Sequence, residues 1–297
     1  MVKIQVPATS ANLGAGFDSL GIALKMYNII NMEEYDGIDI SSKDDVFIPL
    51  DRSNLIYASA KKLYRVCGKP FHGLKIEQQN NIPMSRGLGS SSACIAAGLV
   101  GANKLLGNPM KKEELIDYAT KIEGHPDNVV PAILGGLTVS VLKEDKVYCS
   151  SIPVSGNLCF CAMIPPFEIK TSISRRTLKS YYSREDAVFN ISRSALTVAS
   201  LFTGQFENLK VSTEDRIHQP YRIRLIKGAK DIFDISYRLG SYGTYLSGSG
   251  STVVSILKKE IAEDFKKNML KEMKSKKIEN WRLEILDIDY NGAKVIY

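Results

Sequence analysis

The chain has 297 residues, of which 44% are hydrophobic and 24% charged, with 22 Gly and 11 Pro; this composition is globular and excludes collagen, coiled coil and intrinsic disorder. At roughly 100–200 residues per domain the length allows two domains or one large one. The formal net charge of +7, from 39 Lys and Arg against 32 Asp and Glu, raises the question of a polyanionic partner, nucleic acid or a phosphate-bearing small molecule, without choosing between them.

The N-terminus shows no apolar h-region and no small-residue cleavage site. No window approaches the roughly 18–20 apolar residues of a membrane span, so a cytoplasmic protein without membrane association is expected. The five cysteines, an odd number lying mostly in apolar runs, read as reduced, buried thiols. A strand over residues 3–6 leads into a glycine-rich turn over 7–18, and strand-like text follows at 22–24, 26–31 and 38–40. Ser53-Asn54-Leu55-Ile56 opens a helical pattern that closes near Gly68 and Pro70. A short strand at 74–76 precedes the loop 83–93, behind which 93–106 is almost wholly apolar or small and reads as a buried helix. A helix over 112–122 breaks at Gly124-His125-Pro126-Asp127-Asn128, and the small-residue stretch 131–136 leads into strands at 137–142 and 147–151. The strand at 158–164 sets Cys159 and Cys161 on one face, as core rather than metal ligands. With the pattern restarting around Ser155-Gly156-Asn157, the domains are expected at 1–155 and 156–297. Helices follow near 187–203, 227–239 and 259–275, then a strand pair around 247–252 and a C-terminal hairpin turning at Asn291-Gly292. Strands and helices alternate without a strict βαβ repeat, which predicts an α+β fold.

The stretch Pro83-Met84-Ser85-Arg86-Gly87-Leu88-Gly89-Ser90-Ser91-Ser92-Ala93 carries the most chemistry. Two glycines let the backbone turn tightly with its amides inward, three serines supply hydroxyls, and the following helix adds the positive end of its dipole, so the loop suits phosphates. It is not a Walker A loop, which needs Gly-Lys-Ser/Thr where this chain has Ser-Ser-Ala. Nor is it a dinucleotide fingerprint, whose third glycine is replaced by Ser92. A Gly/Ser turn with a serine N-cap on a core helix is the plain structural alternative.

Together with residues 7–18 and Leu246-Ser247-Gly248-Ser249-Gly250-Ser251-Thr252, this loop resembles the three motifs of the GHMP small-molecule kinases, in order and across the whole chain. Within that superfamily, Gly16-Phe17-Asp18-Ser19-Leu20-Gly21, Glu123-Gly124-His125-Pro126-Asp127-Asn128 and His218-Gln219-Pro220-Tyr221-Arg222 are similar to the homoserine kinases. The resemblance implies ATP- and magnesium-dependent phosphorylation of the side-chain hydroxyl of L-homoserine, in threonine biosynthesis. It also implies an N-terminal mixed, largely antiparallel sheet domain backed by helices, a C-terminal ferredoxin-like α+β domain, and an active site between them.

On that resemblance ATP meets residues Pro83, Met84, Ser85, Arg86, Gly87, Leu88, Gly89, Ser90, Ser91, Ser92 and Ala93. Asn54 resembles an adenine-pocket residue, with a helix N-cap role equally open. Ser91 (or Ser90) and Glu123 match the magnesium ligands. Asp18 matches the ammonium contact, Arg175 and Arg222 match the carboxylate contacts with Arg176 and Arg224 as rival neighbours, and His125 matches a substrate-side position. Asn12 lies near the reacting hydroxyl and Asn128 near the place a base would occupy; no dedicated base is expected, Asp127 being the nearest carboxylate. Another GHMP kinase of mevalonate or sugar type is the nearest alternative, disfavoured by Asp18 with paired arginines. A basic nucleic-acid-binding protein is disfavoured by the lack of an RNP-like pattern, zinc spacing or basic heptad helix. The expected partner is therefore a small molecule; a homodimer is compatible with the sequence but not specified by it. Residues 258–277 hold eight lysines against four acids, a solvated face on a helix that should bury Ile261, Phe265, Leu270 and Met273.

Overall fold

A computed structural model describes the whole chain, Met1 to Tyr297. Strands β1 (Val2–Ala11) and β2 (Leu20–Glu34) pair antiparallel along most of their length. In β2, Met26, Asn28, Ile30 and Met32 are buried in period-two alternation. β2 is one strand where separate pieces were expected, and residues 7–11 of the expected 7–18 turn are strand, since β1 runs on to Ala11 past a register shift at Pro7/Ala8. Strand β3 (Gly37–Ser42), helix α1 (Leu55–Val66) and strand β4 (Gly73–Gln79) follow; β4 pairs antiparallel with β2 and parallel with β3. Helices α2 (Ser90–Leu105), α3 (Lys112–Glu123) and α4 (Pro126–Leu134) then precede the hairpin β5 (Leu137–Lys143) and β6 (Lys146–Ile152), which joins the sheet through β2. α2 is apolar on every side because it is buried on nearly every side.

The second half contains β7 (Leu158–Ile164), α5 (Thr171–Arg176), α6 (Arg184–Thr203), α7 (Leu209–Ser212), α8 (Gln219–Arg222), α9 (Ala229–Arg238), β8 (Gly243–Leu246), β9 (Val253–Lys258), α10 (Ala262–Ser275), β10 (Arg282–Leu286) and β11 (Lys294–Ile296). Its sheet runs in the order β10-β7-β9-β8, all antiparallel. With helices between β7 and β8 and between β9 and β10, this is the ferredoxin-like arrangement. The α+β expectation holds in both halves. β7 is buried on both faces: Phe160 and Ala162 join a core shared with the first sheet, while Cys159, Cys161 and Met163 join a core of the second half alone.

Three local expectations are corrected. Asn291-Gly292 is a turn but not a hairpin: β10 pairs with β7 in the second sheet, whereas β11 crosses back to pair with β1 in the first. The stretch 131–136 is largely helix α4, started by Pro126 in its first turn and ended at Gly135; Pro131 sits inside it, and Val129, Val130, Ala132 and Ile133 are all buried. On α10 the buried line is Ala262, Phe265, Met269 and Met273, at spacings of three and four; Leu270, one residue past Met269 and so about 100° round the helix, is 45% exposed. No helix is long and apolar enough to cross a membrane.

Candidate active site

A cleft of about 290 Å3 lies where the β1–β2 turn, the loop before α2, the α3–α4 junction, α5, α8 and the β8–β9 loop converge. Only four of its 26 lining residues are hydrophobic, so hydrogen-bonding groups are available along most of the cleft. At one end the chain enters α2 through Gly87 and Gly89, both with positive φ. Cβ atoms there would strike Ser247 O and Thr9 Oγ1, so these two positions demand glycine. Gly89 is the N-cap residue of α2, and no side chain caps the helix. That separates the two readings of the loop: a serine-capped core helix would have spent its first-turn amides internally, whereas these remain available to a ligand, beside the positive dipole end.

The three serines divide by helix geometry. Ser91 donates to Glu123 Oε2 and Ser92 to Glu123 Oε1, each at 2.9 Å. Ser92, Ala93 and Leu88 are completely buried and turn away from the cleft, so of the eleven loop residues these contribute packing rather than a side-chain contact; Pro83 also lies outside the lining. Arg86 lines the cleft, but its guanidinium donates to Met84 O, Pro165 O and Pro166 O and pairs with Glu168, so its charge fastens the loop to the chain after β7 instead of facing phosphates. Ser91 and Glu123 offer a hydroxyl and a carboxylate oxygen 2.9 Å apart, close to the spacing of about 3 Å between neighbouring ligands of an octahedral ion bound at about 2.1 Å. The pair therefore fits magnesium.

Asn54, 3% exposed, is the N-cap of α1: its Oδ1 accepts from Ile56 N and Tyr57 N, and its amide donates to Pro49 O. The cap role thus holds, at a position that still borders the cleft beside Ile48 and Gln78. Gln78 was not picked out by sequence reasoning. The available signal was a polar residue on the inward face of β4 after Leu74 and Ile76, and its buried Nε2 has no partner.

At the other end, Asp18 is held by a bidentate pair with Arg175, at 2.7 and 3.1 Å. Arg222 is 2% exposed; burial, and after it the neighbouring Arg175 charge, pulls its guanidinium down to about 10, still cationic at neutral pH. Both guanidiniums lie over the Phe17 ring, 5.6 and 5.2 Å from its centroid. Arg176 and Arg224 are exposed and outside this cleft. Two guanidiniums gathered at this spot offer paired cationic donors suited to a carboxylate.

Asn12, 1% exposed, spends its side chain on architecture: Nδ2 donates to Gly248 O and Oδ1 accepts from Asp18 N, which fixes the turn presenting Asp18. Arg222 donates to the same Gly248 O at 3.0 Å, so the third glycine-serine loop anchors two site residues. His218, which opens the motif ending in Arg222 with no role of its own assigned from sequence, is buried against Phe17. Because its Nε2 must donate to Gly14 O, its Nδ1 faces Arg222 as an acceptor, and burial keeps its pKa low. His125 Nδ1 contacts Asp127 Oδ1. Burial alone would lower the His125 pKa, but the hydrogen bond and charge of Asp127 outweigh it and the net shift is upward. Asn128, 9% exposed, donates to Asp127 Oδ1 at 3.4 Å. Ligand atoms of Asp18, His125 and Asp127 all lie within 4.8 Å of one another, a focus of negative charge suited to a cationic group.

Residues 54–136 match the family model described as GHMP kinases N terminal domain, and residues 198–275 match GHMP kinases C terminal. A homoserine kinase from Clostridium acetobutylicum is 45% identical over 298 residues, covering all of both chains. A homoserine kinase from Caldicellulosiruptor saccharolyticus is 43% identical, covering 99% of this chain and 96% of the relative. Among solved structures, homoserine kinase from Cytophaga hutchinsonii matches with a TM-score of 0.89 at 29% identity, over 99% of this chain and 97% of that one.

Proposed function

The chain belongs to the homoserine kinases of the GHMP kinase family, and from that premise we propose how its cleft carries the γ-phosphoryl group of ATP to the side-chain hydroxyl of L-homoserine. One observation carries the assignment: a single polar cleft holds, at opposite ends, an uncapped helix N-terminus beside a Ser91–Glu123 pair and a cluster of Asp18, Arg175 and Arg222. The first end is chemistry for a triphosphate. The second is chemistry for an α-amino acid, which needs an anion for its ammonium group and a cation for its carboxylate. Mevalonate and sugars have no ammonium group to occupy the acidic focus.

The first-turn amides of α2 and the backbone of residues 83–93 hold the phosphate chain. Ser91 and Glu123 would hold magnesium, which would offset negative charge on the phosphate oxygens. The Arg175 fork, paired with Asp18 in the structure, turns to the substrate carboxylate together with Arg222, and Asp18 takes the ammonium group. The hydroxyl oxygen then bonds to the γ-phosphorus as the bond to the β–γ bridging oxygen breaks, its electron pair leaving on ADP, and the hydroxyl proton departs on a phosphoryl oxygen. Positioning and charge neutralisation supply the acceleration, with Asn128 orienting the acceptor, Asn12 holding the turn that presents Asp18, and no dedicated base. The five unpaired cysteines suit a reducing compartment, and we place the protein in the cytoplasm.

ADP release with L-homoserine, L-serine, L-threonine, mevalonate and galactose as acceptors tests the assignment. Turnover should be confined to the hydroxylated amino acids and fastest with homoserine; turnover of mevalonate in preference to homoserine would overturn it. Arg175→Met should raise the homoserine KM about 10-fold to 100-fold with the ATP KM within about 2-fold.

A further inference from the structure

Behind the lining of the cleft, Thr9 of β1 is completely buried. Its hydroxyl donates to Asn128 Oδ1 at 2.9 Å, and its backbone N–H donates to Leu88 O at 3.1 Å. The same hydroxyl is the atom that a side chain at Gly89 would strike. Thr9 therefore touches both the phosphate loop and the α4 asparagine, 119 residues away in sequence.

These contacts fix which way the Asn128 amide points. A carboxylate oxygen accepts, so the Asn128 atom facing Asp127 Oδ1 at 3.4 Å is Nδ2, and the Thr9 proton goes to Oδ1. With one lone pair of Oδ1 taken by Thr9 and one N–H directed at Asp127, Asn128 keeps its second N–H to present to the cleft it borders. Were the amide reversed, two acceptors would oppose each other at Asp127 and Thr9 would lose its acceptor in a site without water access.

We infer that Thr9 is a positioning residue that holds Asn128 as a hydrogen-bond donor toward the reacting oxygen. Asn128 then stabilises charge developing on that oxygen and takes no part in accepting its proton. The inference rests on the phosphoryl-transfer reading of the cleft. Because the only hydrogen bond from Thr9 to the phosphate loop is made by its backbone N–H, and valine keeps the side-chain shape packed on Gly89, losing the hydroxyl should affect the transition state and not the binding of either substrate.

Steady-state kinetics of Thr9→Val, which keeps the shape and removes the hydroxyl, tests this. Expected are a kcat reduced about 10-fold to 100-fold, KM values for ATP and homoserine within about 3-fold, and recovery of most of kcat in Thr9→Ser, which restores the donor. In an Asn128→Ala background Thr9→Val should add no further loss, because the group it positions is gone. A Thr9→Val kcat within about 2-fold of the parent, or a loss that adds in full to that of Asn128→Ala, would overturn the inference. Should Thr9→Val not fold, Asn128→Asp provides the same decision, since it keeps the acceptor for Thr9 and deletes the N–H donor. Its kcat should drop about 100-fold, and an Asn128→Asp chain as fast as the parent would overturn the donor role. A parent chain without kinase activity overturns the functional reading and this inference with it; an active parent with an unimpaired Thr9→Val overturns this inference alone.

Discussion

Arg175 and Asp18 form a bidentate pair that cancels their charges; the two charges of the proposed substrate replace that pair, at a cost. Each of these side chains is about one-third exposed, which limits that cost through solvent screening. His125 is more sheltered, with a side chain 16% exposed, and it faces Asp127, Asp18 and Arg175. Its folded pKa is raised above the ordinary 6.5, so protonation is favoured by folding. The stabilisation is therefore fully present below pH 6.5 and is lost as pH rises through the raised folded value. His125→Gln should lower the melting temperature at about pH 6 more than at about pH 9; an equal loss at both would show that the imidazole charge contributes nothing. Residue types at this end of the site were legible in the sequence through the family resemblance, whose motifs pointed to Asp18 and to the arginines that a zwitterion requires beside it. The choice of Arg175 over Arg176, and of Arg222 over Arg224, was not legible, since it depends on which side of a short helix faces the cleft. Thr9 and Gln78 stayed hidden for a related reason: their significance comes from partners or a cavity that only the folded chain brings to them.

Element boundaries were most legible where local chemistry decides them, as at Asn54, and least where the partner is remote. Asn291-Gly292 signals a tight turn correctly, yet its flanking strands belong to different sheets, a fact set by pairing with β7 and β1. Asp289 makes this crossing possible. It is 1% exposed; its Oδ1 accepts from Asn291 N at 3.0 Å and Gly292 N at 2.7 Å, and its Oδ2 accepts from Tyr27 at 2.8 Å. Asp289→Ala would leave three donors without their acceptor and loosen the turn that delivers β11 to the first sheet. The expected loss is about 2–4 kcal/mol by denaturant unfolding. Because none of these groups borders the cleft, kcat and both KM values should stay within about 2-fold of the parent at a temperature where the variant is folded. An unchanged unfolding midpoint would remove Asp289 from this role.

At the scale of the molecule, the two halves share a core in which Phe160, Leu201 and Tyr245 pack with Ile4, Leu13 and Leu24, so the cleft is built on a continuous apolar base rather than between loosely tethered bodies. The net charge is distributed quite differently. Residues 258–277 contribute a local +4 of the total +7, eight lysines less four acids. Lys267, Lys271 and Lys274 are exposed on α10, opposite the line Ala262, Phe265, Met269 and Met273 that is buried, and none borders the cleft. Solvent-exposed charges beyond about 8 Å are largely screened at physiological ionic strength, and lysines outside the cleft lining are expected to contribute little to the field at the phosphate loop. That loop instead presents amides, hydroxyls and Glu123, with Arg86 turned away. Replacing Lys267, Lys271 and Lys274 together with Gln lowers the formal charge by three, from +7 to +4. If backbone amides recognise the phosphates, the ATP KM, the homoserine KM and kcat should remain within about 2-fold of the parent, and the salt dependence of the ATP KM should not change. If the overall positive charge draws ATP in, the ATP KM of the triple variant will rise and its salt dependence will flatten.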